Sequence, residues 1–113
     1  MPSAIELEII RAGDGKYYPK KGETVAVHYT MSLADGTEVD NTYKRRSPFR
    51  FKVESGQVVK GWDEAVKQLS VGEKASCMIP ADFAYKDKGL SKLIPPGANL
   101  RVTMELIAIM KGE

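Results

Sequence analysis

The chain has 113 residues, 42% hydrophobic and 28% charged, which is room for one domain with a single core and the composition of a folded protein rather than a disordered one. Lys plus Arg number 17 and Asp plus Glu 15, and a net charge of +2 gives no ground for a nucleic-acid or membrane partner. No apolar run reaches the length of a membrane span, the start MPSAIELEII lacks the basic-then-apolar order of a signal, and a lone cysteine excludes an internal disulfide, so the expected address is the cytoplasm.

In chain order, Ile5, Leu7 and Ile9 alternate with Glu6 and Glu8, which predicts a half-buried strand. Gly13-Asp14-Gly15 is a break, and residues 16–22 read as an irregular exposed segment. Val25, Val27, Tyr29, Met31 and Leu33 then define one inner face of a long strand. Asp35-Gly36 is a two-residue hairpin signal, and Thr37 to Asp40 a short return strand. The polar, basic stretch Asn41–Pro48 predicts a surface loop or bulge. Phe49, Phe51 and Val53 resume the alternation.

Glu54-Ser55-Gly56 turns the chain toward its one helical pattern. Trp62, Ala65, Val66 and Leu69 follow i, i+3, i+4, i+7 spacing, with Asp63 and Glu64 in the first turn, Lys67 near the last and Gly72 as the stop. A helix this short is stable only if that stripe packs on something. Ala75, Cys77 and Ile79 form the next strand, closed by Pro80. Residues 82–99 make a connection long enough, and apolar enough, to suggest function. Leu100, Val102, Met104, Leu106, Ala108 and Met110 form the last strand, with Ile107 and Ile109 opposite, so its second half is expected to be buried on both faces. The expected fold is a single α+β domain over 1–113: a curved, mostly antiparallel sheet wrapped around one short helix, with Trp62 flooring an apolar cavity.

The chemistry is bounded by what is missing. His28 and Cys77 are the only histidine and cysteine, so neither a histidine-based triad nor a Cys/His metal site can be assembled. His28 is expected to be structural and Cys77 a buried, inert thiol. Gly13-Asp14-Gly15 lacks the helix a phosphate loop requires, and Asp35, Asp40, Asp63, Glu64 and Asp82 show no catalytic spacing. No metal, cofactor or covalent intermediate is expected. Tyr29, Phe49, Trp62 and Tyr85 each lie at an end of an element. Core packing explains any one of them alone, but their grouping beside residues 82–99 and the Val58-Val59 turn points to a pocket for an apolar ligand.

The motifs VHYT (Val27–Thr30), Asp35-Gly36, Asp40, Pro48-Phe49-Arg50-Phe51, VVKGWDEAV (Val58–Val66), VGEKA (Val71–Ala75), AYKDKG (Ala84–Gly89) and IPPGANL (Ile94–Leu100) together resemble FKBP-type peptidyl-prolyl isomerases, the immunophilins that bind tacrolimus and rapamycin. The resemblance runs from about Gly13 to Leu106 in order and spacing. It implies a half-barrel of antiparallel strands on one short helix, and an active site that is an apolar cavity. By that resemblance Trp62 is the floor, and Tyr29, Phe49, Val58, Val59 and Ile94 are walls. The Val59 N–H and the Tyr85 hydroxyl would meet carbonyls of the bound peptide or drug, and Asp40 would sit at the edge, linked to Arg45 and to the Tyr29 hydroxyl. Gln57, Ala84, Leu90 and Leu93 would line the rim.

The resemblance also implies proline-containing polypeptides and macrolides as partners, and a monomer with no nucleic acid or membrane. Val39, Leu90 and Val102 stand where aromatic residues or histidine are common in that family, Met31 and Lys86 where glycine is, so a weaker or differently shaped ligand preference is expected. A proline-binding module with little turnover is the competing reading. A nucleic-acid contact through Lys44-Arg45-Arg46 is a third, without the aromatic stripe such a surface needs.

Overall fold

The alternating run from Thr24 to Leu33 becomes the strand on which the other elements are assembled. A computed structural model describes residues 5–58, 60–80 and 97–110. In chain order the elements are β1 (Leu7–Arg11), β2 (Thr24–Leu33), β3 (Glu38–Asn41), α1 (Thr42–Arg45), β4 (Phe49–Lys52), α2 (Lys60–Val66), β5 (Lys74–Ile79) and β6 (Leu100–Met110). Every strand pairing is antiparallel, in the order β1-β5-β6-β2-β3 with β4 also beside β2. One edge of β2 is therefore shared, β4 taking Thr24–Val27 and β3 taking the stretch from Thr30.

The inner face carries Val25, Val27, Tyr29 and Met31 from β2, Ala75, Cys77 and Ile79 from β5, and Leu100, Val102, Met104 and Leu106 from β6, all packed with Trp62, Ala65, Val66 and Leu69. The stripe read from the sequence is thus the face that α2 buries. The result is an α+β fold, among the described residues an antiparallel sheet of six strands over a short helix.

Local geometry departs from the sequence reading at six places. The Asn41–Pro48 segment is not all loop: Asn41 caps a single helical turn by accepting the Lys44 N–H at 3.2 Å, and Arg46 ends it in the left-handed region at φ 55°. The Asp35-Gly36 connection is not a two-residue turn. Only Gly36 has positive φ (95°), the Leu33 carbonyl accepts the Gly36 N–H at 2.9 Å, and a three-residue loop with its left-handed residue last results.

Helix α2 starts at Lys60, two residues earlier than its apolar stripe, and ends at Val66. Leu69 stays buried through tighter turns, Gln68 N–H to Ala65 and Leu69 N–H to Val66, both 3.1 Å. Gly72 (φ 88°) serves the turn into β5 rather than the helix stop. Ile9 is 49% exposed because β1 is the sheet's edge and slips register at Ile10.

The last departure is in β6, where Val27 pairs with Leu106 but Ala26 with Ala108. Ile107 is thus the extra residue of a bulge and is pushed outward to 40% exposure. The bulge inverts the phase of the strand, so Ile109, not Ala108, packs with the core. The second half of β6 is not buried on both faces.

Candidate functional site

Three elements bring aromatic rings to one place. Tyr29 comes from β2, Phe49 and Phe51 from β4, and Trp62 from the first turn of α2. Trp62 is 4% exposed, and its indole receives Tyr29 at 4.4 Å and 78°, Phe49 at 5.8 Å and 90°, and Phe51 at 6.0 Å and 68°. These edge-to-face contacts set the positive rim of one ring against the negative face of another. Tyr29 and Phe49 also meet edge-on at 6.1 Å, and Phe49 stacks on Phe51 at 5.7 Å. Burial grades along β4: Phe51 is 1% exposed and Phe49 half-buried. Among the described residues the buried indole N–H of Trp62 has no acceptor.

A polar chain edges the cluster. The Tyr29 hydroxyl donates to Asp40 Oδ2, the Arg45 guanidinium donates to Asp40 Oδ1, and the Asn41 N–H donates to the same oxygen at 2.8 Å. Burial alone would push the Asp40 carboxyl up, but the donations from Tyr29, Asn41 and Arg45 together hold it below the usual carboxylate range. Burial, then the bond to Asp40, pushes the Tyr29 phenol up to about 12. Asp40 is therefore an anion fixed in place, suited to orienting Tyr29 and unsuited to proton transfer near neutral pH.

The sign of that shift gives a test. Tyr29 ionises near 10 when unfolded, by the ordinary phenol value of about 10. Its neutral form therefore stabilises the fold fully below that pH, and the contribution disappears as pH rises through about 12. An alkaline absorbance titration is expected to show a late-ionising phenol that Tyr29→Phe removes. Tyr43, raised by burial and by its bond to Glu105, remains as a second late group. A Tyr29→Phe protein with an unchanged late phase would contradict the geometry.

The other residues singled out from the sequence divide four ways. Val39 and Val58 are partly buried and packed against the core. Gln57 is exposed, its Oε1 accepting the Lys52 N–H at 2.9 Å across the turn after β4. Val102 is fully buried, in register with Met31 on one side and Cys77 on the other. Val59, Ala84, Tyr85, Leu90, Leu93 and Ile94 lie outside the described residues.

His28 has a structural setting, with Nδ1 2.9 Å from Thr42 Oγ1 and the ring stacked on Tyr43 at 4.6 Å. Cys77 is buried, which pushes its thiol up to about 11 and keeps it unreactive. Two residues that sequence reasoning left out touch the cluster. Phe51 shared its alternation with Phe49 and could have been found that way. Thr42, fully buried against the Tyr29 backbone, had no signal in its neighbours.

Comparison with known proteins adds to this geometry. A family model described as FKBP-type peptidyl-prolyl cis-trans isomerase matches residues 15–107. A protein of Emericella nidulans named FK506-binding protein 1A is 47% identical over 105 residues, covering 93% of this chain and 97% of the relative. FK506-binding protein 1 of Rhizopus delemar is 45% identical over the same coverage. A peptidyl-prolyl cis-trans isomerase of Drosophila melanogaster is 43% identical, again covering 93% and 97%.

Proposed function

Because the chain belongs to the FKBP-type peptidyl-prolyl cis-trans isomerase family, we propose that its isomerase activity is exerted on X-Pro bonds held in an apolar, water-excluding pocket over Trp62, and that macrolides of the tacrolimus and rapamycin type occupy the same pocket. The observation that carries this is the indole of Trp62, buried and edge-packed by Tyr29, Phe49 and Phe51 while Phe49 stays half-open to the surface.

The chemistry asks for little else. An X-Pro amide turns over on the order of tens to hundreds of seconds because its C–N bond is partly double. Resonance puts negative charge on the carbonyl oxygen, so the planar amide is the more polar form and the twisted transition state the less polar one. A dry aromatic surface disfavours the first relative to the second, and that difference is catalysis. Neither proton transfer nor a covalent intermediate enters.

Trp62, Phe49, Tyr29, Val58, Val59 and Ile94 supply shape and dryness. Asp40, clamped by Arg45, fixes the Tyr29 ring, and the Tyr85 hydroxyl and Val59 N–H orient peptide carbonyls, roles carried by the family resemblance. Val39, Val102 and Leu90 stand where aromatic residues or histidine are common in the family, which weakens the grip on a macrolide and gives a weaker or differently shaped prolyl preference.

The test is isomerisation of a proline-containing peptide with and without rapamycin. Acceleration by the protein, abolished by rapamycin, is the expected result, with tighter inhibition of a typical family member than of this one. Peptide binding without acceleration would replace the proposal with a binding module. Acceleration indifferent to saturating rapamycin would separate the macrolide site from the catalytic one.

A further inference from the structure

On the edge away from β6, strand β2 has no partner strand at Tyr29. β4 pairs it as far as Val27 and β3 resumes at Thr30, so His28 and Tyr29 fall in the gap. Buried backbone groups in such a gap need a partner. Thr42 supplies it. Its Oγ1 accepts the Tyr29 N–H at 2.7 Å and donates to the Tyr29 carbonyl at 3.2 Å, standing in for the missing strand with one side chain. Thr42 is 0% exposed, so bulk water does not compete for either bond.

The proton count is informative. A threonine hydroxyl has one hydrogen, so it can donate either to the Tyr29 carbonyl at 3.2 Å or to His28 Nδ1 at 2.9 Å. Donation to the carbonyl goes with the His28 tautomer that carries its hydrogen on Nδ1 and donates it to Thr42 Oγ1. The His28 ring is braced by stacking on Tyr43, whose hydroxyl donates to Glu105 at 2.7 Å. The first residue of α1 is thus tied to β2, and the second, Tyr43, to His28 of β2 and Glu105 of β6.

We infer that Thr42 is a positioning residue for the isomerase site, its hydroxyl holding Tyr29 at the backbone while Asp40 and Arg45 hold it at the phenol. Both grips come from one stretch of chain, since Asp40 and Asn41 close β3, Thr42 opens α1 and Arg45 ends it. The ring between them stands 4.4 Å from the Trp62 indole. Without the hydroxyl, two buried backbone groups lose their partner, α1 loosens from β2, and Asp40 and the ring move with it. The inference rests on the isomerase reading above only for its kinetic consequence; the placement of Tyr29 can be read without it.

The experiment compares Thr42→Val, which keeps the shape and drops the hydroxyl, with Thr42→Ser, which keeps the hydroxyl. Each is assayed on the full chain well below its thermal midpoint. Thr42→Val is expected to lower kcat/KM about tenfold, shift the emission of Trp62, the only tryptophan, and bring the late Tyr29 ionisation down toward the ordinary phenol value. Thr42→Ser is expected to restore all three. Thr42→Cys, with a weak S–H donor, falls between them and stands in where the valine variant does not fold.

A folded Thr42→Val protein with wild-type kcat/KM, emission and titration would overturn the inference. So would a serine variant as impaired as the valine one, or a cysteine variant equal to serine. If the wild-type chain accelerates no peptide, the function reading fails while emission and titration still decide the role of Thr42.

Discussion

Trp62→Ala is expected to lower kcat/KM for a proline-containing peptide by about tenfold or more, the factor governed by ~1.4 kcal/mol of transition-state stabilisation. Three rings lie edge-on to this indole, so on the proposed mechanism its removal takes away the surface against which the twisted amide is favoured and lets water reach the carbonyl. Stability is expected to fall too, by about 3–5 kcal/mol, the range for truncating a buried aromatic. That is a large share of the ~5–15 kcal/mol that holds a domain together.

Activity is therefore measured at low temperature on protein shown to be folded by circular dichroism. Trp62→Phe serves beside it, keeping a ring face while losing the indole's size. The expected order is wild type, then phenylalanine, then alanine. A folded alanine variant with wild-type kcat/KM would remove the indole from the mechanism, and the pocket reading with it.

Much of this site could be read from the sequence because it follows from periodicity. The period-two run through Val25, Val27, Tyr29 and Met31 and the helical stripe of Trp62, Ala65, Val66 and Leu69 each specify a face, and two such faces must meet. What escaped was set by tertiary register. The bulge at Ile107 reverses the inner and outer faces of β6 midway, and nothing local in LIAIM announces an extra residue. Thr42 escaped because β3 and β4 both leave β2 beside it, a fact of strand pairing that nothing in its neighbouring residues announces. The single helical turn at Thr42–Arg45 was hidden for another reason. One turn is too short to show a stripe, and its only local mark is the capping Asn41.

Phe49 and Phe51 offer a sharper division, since they are two residues apart on one face of β4 and both touch the indole. Phe51 is 1% exposed and belongs to the core beneath the site. Phe51→Ala is expected to cost about 3–5 kcal/mol, a fall of roughly 15 °C in Tm for a domain of this size. Phe49 is only half-buried, so Phe49→Ala loses less burial, about 1–2 kcal/mol.

Activity per folded molecule is expected to follow the opposite order. Phe49 is the ring a bound proline would meet, whereas Phe51 acts by supporting Trp62 and Phe49 from below. Measured well under each midpoint, Phe49→Ala should therefore lose the greater part of kcat/KM while Phe51→Ala keeps most of it. Equal loss in both would mean that the indole shifts when its support is removed, so that depth in the core and contact with substrate are not separable along this strand. Loss in Phe51→Ala alone would place the bound peptide on the other side of Trp62, away from β4.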